Sequence, residues 1–404
     1  MIRGKDIIVV GIQPWDISIG SNCKNIAEEY ARHNRVLYVN SPLDRFTRFV
    51  DRKNEKIKKR IRISKGKEKG LIQISDNLWN LYPSSIIESI NWIKSARIFD
   101  WLNIHNTRLF AEDIRKAADE LGFKDVILFN DSSMFLGRYL KKLLQPTISI
   151  YYMRDYLIKN PYWRRHGVRI EPFTLINADL VVNNSTLYAE YGSQHNIHSY
   201  MVGQGCDTSL FNDDKNTIRV PDDLLKIPKP ILGYVGFLSG RRLDIKLLEY
   251  IADNKPEWNI VLVGPEDDAF KVSRLHDLKN VFFLGSRDSS ELPSYIKGFD
   301  IAMNPQLIND ATIGNYPRKI DEYLALGKPT LGSATKAMEY FKDYTYLGVS
   351  HQDYVDLAEL ALKEDSEELR QKRRAFGTSH SWENNVAEIN KYIELVCIEK
   401  GIKL

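Results

Sequence analysis

Lys319 and Glu322 stand three positions apart in the run Asn315-Tyr-Pro-Arg-Lys-Ile-Asp-Glu-Tyr-Leu-Ala-Leu-Gly-Lys-Pro-Thr330. That spacing puts both on one face of a short helix, near its N-terminus. A cation at the positive end of a helix dipole suits a phosphate, and a carboxylate on the same face accepts hydrogen bonds from sugar hydroxyls. Such a pair can hold a nucleoside diphosphate by its phosphates and its ribose. The same spacing also describes an amphipathic surface helix closed by Gly327.

A second phosphate candidate is Gly233-Tyr-Val-Gly-Phe-Leu-Ser-Gly-Arg-Arg-Leu-Asp-Ile-Lys-Leu-Leu248, read as a strand, a Gly-rich turn and a helix. Glycines such as Gly236 let backbone approach a phosphate, and Arg241 or Arg242 can neutralise it. The run lacks the Lys-Ser/Thr of a P-loop and the spacing of a dinucleotide fingerprint. A tight strand-to-helix connection with surface arginines fits it equally.

In the first half, Asn130-Asp-Ser-Ser133 and Tyr151-Tyr-Met-Arg-Asp-Tyr156 each end an expected central strand. A carboxylate there can take a proton from a hydroxyl, which makes Asp155 the candidate general base and Asp131 the reserve. Asp155 beside Arg154 also reads as a paired surface charge or a helix cap. His195 and His198 lie close together without cysteine or a His-Glu motif, so they read as surface residues and no metal site is expected. No Gly-x-Ser-x-Gly elbow marks a hydrolase.

These residues need a scaffold of parallel strands. Apolar runs alternate with helical spacing along the chain, the pattern of an α/β protein. Strands are expected at 6–11, 35–40, 71–75, 78–82, 126–130, 148–152, 180–183 and 199–202, with helices at 22–33, 109–121 and 135–144. A second series of strands covers 231–235, 260–263, 281–284, 301–304, 330–332 and 346–349. Its helices are expected at 244–252, 289–296, 318–326, 335–340 and 353–362, with a last helix at 382–400. The polar, proline-ended stretch 209–229 reads as a linker. The division is then a first domain, 1–208, a second, 230–380, and a C-terminal stretch, 381–404, helical in pattern. Ligands of such sheets bind beyond the carboxyl ends of the strands, so a cleft between the domains is the expected site.

The 404 residues carry a net charge of +4 and three widely separated cysteines. That usage fits a reducing compartment, and Ile7–Val10 is too short for a signal peptide or a span. A cytoplasmic protein is expected. Residues 44–69 hold twelve Lys or Arg against four acids, with apolar residues interleaved. Such a stretch can lie on an anionic membrane surface at the inner face of the cell membrane, or stay solvated. Nucleic acid is not an expected partner, since no recognised module surrounds the run.

The pattern Pro-x-Lys-x-x-Glu-Tyr-Leu-Ala-x-Gly-Lys-Pro resembles the donor-site motif of bacterial GT-B glycosyltransferases. Ala178-Asp-Leu-Val-Val-Asn-Asn-Ser185 and Gly205-Cys-Asp-Thr-Ser-Leu-Phe211 resemble segments of the family 4-like members. The N-terminal pattern is nearest to transferases of teichuronic-acid, capsule and exopolysaccharide biosynthesis. The resemblance implies two Rossmann-like domains, 1–208 binding the acceptor and 230–380 the nucleotide sugar, with the helix of 381–404 returning to the first. It implies transfer from a nucleoside-diphosphate sugar such as a UDP-sugar to a saccharide acceptor, expected to be lipid-linked. It implies that Gly236, Arg241, Arg242, Asn315, Lys319 and Glu322 bind the donor, and that Gly285, Ser286 and Arg287 lie near its base. It puts Trp15 and Gly20 in the acceptor and sugar loop. The position of Asp155 resembles that of the catalytic Asp in xanthan-type glucuronosyltransferases. With no Asp-x-Asp motif, no metal or other cofactor is expected, and protein cations would carry the leaving diphosphate. One departure is Gly314, where many retaining members have an acid; retention and inversion both stay open. A sugar-nucleotide epimerase of the same fold and a non-catalytic sugar-nucleotide-binding protein are the alternatives.

Overall fold

The computed structural model describes residues 2–17, 21–213, 216–309, 312–314 and 316–404. Gly20 and Asn315, two of the expected ligand-binding residues, lie outside the described residues. The chain forms two compact units: Met1–Gly203 with Asn385–Leu404, and Gln204–Asn384.

Strands of the first unit are β1 (Asp6–Gly11), β2 (Arg35–Asn40), β3 (Leu43–Asp44), β4 (Leu71–Ser75), β5 (Leu78–Leu81), β6 (Ile86–Ile87), β7 (Ile127–Asp131), β8 (Ile148–Met153), β9 (Leu180–Asn183) and β10 (Ser199–Met201). Eight of them make one sheet in the order β10-β9-β8-β7-β1-β2-β5-β4, parallel except for the β4–β5 pair. Every residue of β1, β7 and β8 is buried, as expected for central strands covered by helices on both faces. Register is pinned at the amino edge, where Arg35 donates to both carboxylate oxygens of Asp6 at 2.7 Å. At the carboxyl edge Gly11 pairs with Asn40 and with Asp131.

The second unit holds β11 (Ile231–Val235), β12 (Asn259–Val263), β13 (Val281–Gly285), β14 (Ile301–Asn304), β15 (Thr330–Ser333) and β16 (Tyr346–Gly348), all parallel in the order β13-β12-β11-β14-β15-β16. Its core joins Leu232, Leu248, Ile260, Leu262, Phe270 and Ile301.

Several expectations change. The stretch 209–229 is no free linker: Leu224 is buried, and the ammonium of Lys297 binds Asp213 at 2.6 Å and the Ile218 carbonyl at 2.7 Å. It is part of the second unit. The helix expected at 109–121 is the second half of Ala96–Glu120, because Asn103, Asn106 and Thr107 on its buried face interrupt the apolar pattern. The helix Pro161–Asn177 was not expected; Pro161 suits its first turn, and Pro172 lies inside it. The region 135–144 forms two short helices, Met134–Gly137 and Leu140–Leu144.

The last helix, Trp382–Lys400, continues from the second unit into the first, where Asn390 accepts from the Tyr30 hydroxyl and Tyr392 stacks on Tyr200. His198 is buried, not on the surface, with its Nδ1 3.5 Å from a carboxylate oxygen of Glu399.

Candidate active site

In the second unit the two phosphate candidates meet. β11 ends at Val235, and Gly236 turns the chain with φ +124, its N–H donating to the Val263 carbonyl at 2.8 Å. A Cβ at Gly236 would fall 2.6 Å from Lys319 Cε and 2.7 Å from Nζ. The lysine therefore lies against bare backbone, with its ammonium 5.3 Å from the centre of the Tyr234 ring. Gly264 must be Gly as well, because a Cβ there would sit 1.9 Å from the Gly236 carbonyl oxygen. Arg241 and Arg242 have exposed side chains. Their backbone is tied to the loop after β14: Leu307 donates to the Arg242 carbonyl at 2.8 Å, and the Asn309 amide to that of Arg241 at 3.3 Å. Turn, loop and lysine so form one cationic corner.

The helix Lys319–Ala325 has only seven residues, so its dipole is a small part of that field. Glu322 is buried and accepts from Arg318, not from Lys319, at 3.1 Å. Burial pushes its carboxyl up, while Arg318 and Lys319 pull it down. Behind them lies a residue the sequence reading passed over. Asp321 is fully buried and accepts from Tyr316 at 3.1 Å, and His380 Nδ1 is 2.7 Å away. Its apolar surroundings raise its carboxyl, opposed by His380. An acid next to Glu322 at the start of a short helix gave no signal of burial.

Gly285 ends β13 with φ +72, and Ser286 follows. The Arg287 side chain is engaged elsewhere: Nε donates to the Tyr295 hydroxyl at 2.6 Å and Nη2 to Asp223 at 2.9 Å.

In the first unit Asp131 and Asp155 meet through Arg154, which follows β8. Arg154 Nε lies 2.7 Å from one oxygen of Asp131 and Nη2 lies 3.3 Å from the other, while Nη1 donates to Asp155 at 3.0 Å. Asp131 is wholly buried, and the side chain of Asp155 is 47% exposed. Asp131 is thus shut in against Arg154, and of the two carboxylates only that of Asp155 is open to solvent. Below them Cys23 is buried, and burial with the Asp131 charge pushes its thiol well up. Trp15 is fixed by its N–H donating to Asn40 at 2.8 Å and by an edge contact with Tyr38, whose hydroxyl donates to the Gln13 carbonyl. Gly11 makes room for that tyrosine. Among the described residues no group of three or more His, Cys, Asp or Glu side chains is arranged to hold a metal.

Residues 224–379 match the family model described as Glycosyl transferases group 1, and the overall fold is GT-B. That match covers under half of the chain. Among its relatives is TuaH of Bacillus subtilis (strain 168), named as a teichuronic acid biosynthesis glycosyltransferase, 29% identical over 202 residues. The match covers 48% of this chain and 50% of TuaH, so it spans half the length of that relative. Sucrose-phosphate synthase from Thermosynechococcus elongatus superposes with TM-score 0.65 at 15% identity, over 98% of this chain and 100% of that one. Anabaena HepE, solved in complex with UDP and glucose, superposes with TM-score 0.62 at 14% identity, over 96% and 99%.

Proposed function

We propose that the chain transfers a sugar from a nucleoside diphosphate donor to a saccharide acceptor during assembly of a cell-surface polysaccharide. The Lys319 ammonium against the bare backbone of Gly236 carries this reading. A diphosphate can approach there to hydrogen-bond distance of backbone and cation at once. As the bond from sugar carbon to phosphate oxygen breaks, negative charge grows on the leaving diphosphate. Lys319 with Arg241 or Arg242 stabilises it without a metal. Glu322, held beside Arg318, accepts from the ribose hydroxyls. The backbone at Gly285 and Ser286 lies along the base.

On the first unit, Asp155 takes the proton of the acceptor hydroxyl as its oxygen attacks the sugar carbon. Arg154 keeps that carboxylate in place, and Trp15 offers an aromatic face to the sugar. The kinship with TuaH supports the cell-surface setting. The basic, apolar-interleaved segment 44–69 supports an acceptor carried on a lipid at the inner face of the membrane, its cations against the anionic surface.

Melting curves of the intact protein with UDP, GDP and ADP test the donor half. One nucleotide should raise Tm saturably, because a ligand that binds only the native state stabilises it by about 2.7 kcal/mol at a hundredfold excess over Kd. Lys319→Ala should abolish that rise. No shift with any nucleotide, or an equal shift in the variant, refutes the reading.

A further inference from the structure

The short helix Arg45–Val50 leaves Phe46, Phe49 and Val50 exposed. Trp92 and Tyr162, from two other segments of the first unit, are exposed as well. All five line one groove of about 1270 Å³. That is larger than the roughly 300–1,000 Å³ that encloses a small ligand. Its less exposed walls are apolar too, from Ile87, Ile90, Phe135 and Leu136. Single exposed apolar side chains need no explanation, but a contiguous set lining a deep groove does.

The other lining residues say where the groove leads. Ile12, Ser41, Pro42 and Ser133 follow β1, β2 and β7. They lie at the carboxyl edge of the sheet, the edge that carries Asp131. One apolar channel so runs from the exposed aromatic rim to the place where an acceptor hydroxyl would react.

Charge selects the occupant. Of the carboxylates lining the groove, Glu88 is paired with Arg45 at 2.7 Å, and Asp44 accepts from Thr47 and Ser89. Arg165 donates to the carbonyls of Asn91 and Trp92 and forms no ion pair among the described residues. At the rim the Arg52 guanidinium lies 4.9 Å from the centre of the Phe49 ring. An apolar chain with an anionic head satisfies both the walls and the cations.

We propose that this groove holds the hydrocarbon chain of an acceptor whose saccharide is carried on a lipid phosphate. The proposal rests on the glycosyltransferase reading and adds where its acceptor is gripped. The groove orients the acceptor along the channel, so that its sugar emerges at the carboxyl edge.

Farnesyl phosphate is the probe, titrated into the intact protein while tryptophan emission is followed; Trp92 and Trp163 both line the groove. Saturable one-to-one binding is expected, weakened at least tenfold in F49D/Y162D, whose unliganded Tm should stay within a few degrees of the parent because both side chains are exposed. Farnesol should bind at least tenfold more weakly than farnesyl phosphate, and inorganic phosphate should not compete. Absence of saturable binding, equal binding by the double variant, or a self-associated protein that F49D/Y162D makes monomeric overturns the proposal. Equal binding to phosphatidylglycerol vesicles with and without polyprenyl phosphate, and none to free farnesyl phosphate, also overturns it in favour of plain bilayer contact. The UDP melting curve is independent: if it fails while farnesyl phosphate binds, the donor reading falls and the lipid site stands.

Discussion

The ammonium of Lys319 occupies the volume that a side chain at Gly236 would need, with only 2.7 Å between the amine and a Cβ built there. The two residues are far apart in sequence and come from the Gly-rich turn and the short helix. Gly236→Ala should therefore act through Lys319. The added carbon, on a backbone of φ +124, must push the lysine away or shift the turn. Nucleotide affinity should fall by about tenfold or more, as expected for a lost charge-assisted bond of about 1.5–3 kcal/mol. The double variant with Lys319→Ala should be no worse than the worse single one, since coupled sites are not additive. Titration calorimetry over the four-member cycle checks it; strict additivity would show that the contact has no part in binding.

Lys319→Ala by itself should lower kcat/KM by about two orders of magnitude, the usual loss when one preorganised group that stabilises developing charge is removed. The helix Lys319–Ala325 is held by the buried Ile320, Tyr323 and Leu324, so the variant should keep its fold. Steady-state kinetics with a circular dichroism melt separates the two effects.

Arg154 separates the duties of two carboxylates. Arg154→Met leaves Asp131 charged, buried and unpaired, and should cost about 3–5 kcal/mol of stability. Asp155→Asn removes only a half-exposed partner and should cost under about 1 kcal/mol. Its transfer rate should nevertheless drop by about 10²–10⁴, the contribution of a positioned base. Denaturant unfolding and product assays on both variants test the division. An Asp155→Asn enzyme with full activity would move the base elsewhere.

Glu171 gives a pH signature. It is buried in the helix Pro161–Asn177, with the Tyr151 hydroxyl 3.4 Å away and Tyr191 nearby. Burial pushes its carboxyl up to about 7. A raised acid favours the folded state while protonated, so this contribution is complete below about pH 4.5 and is lost as pH rises through 7. Glu171→Gln mimics the neutral form. It should therefore gain on the parent by an amount that grows between pH 4.5 and 7 and levels near about 3 kcal/mol. Urea unfolding of both proteins from pH 5 to 8 measures the difference; a flat difference would mean that Glu171 stays ionised in the fold.

The strand series was readable because central parallel strands must be apolar throughout. β1, β2, β9, β11 and β14 fall where their apolar runs place them. Lys319 and Gly236 were readable as separate motifs, but their contact depends on the order β11-β14-β15, which no local pattern encodes. Asp321 was hidden for a different reason: its partners Tyr316 and His380 are supplied by a loop and by the end of a later helix. Arg154 looked like a neighbour of Asp155 alone, and only the β7–β8 register brings Asp131 to its other side. The buried asparagines of Ala96–Glu120 masked half a helix because their hydrogen bonds, such as Asn106 with Glu88, exist only after the chain has folded.

Asp223 grips Arg287 and Tyr295, and Asp213 grips Lys297, so the residues after Gly203 are already stitched to the body that follows them. Anyone grafting a new donor specificity onto this scaffold should exchange 204–384 as a cassette. A cut near Pro230 would strip the transplanted piece of its own clasp.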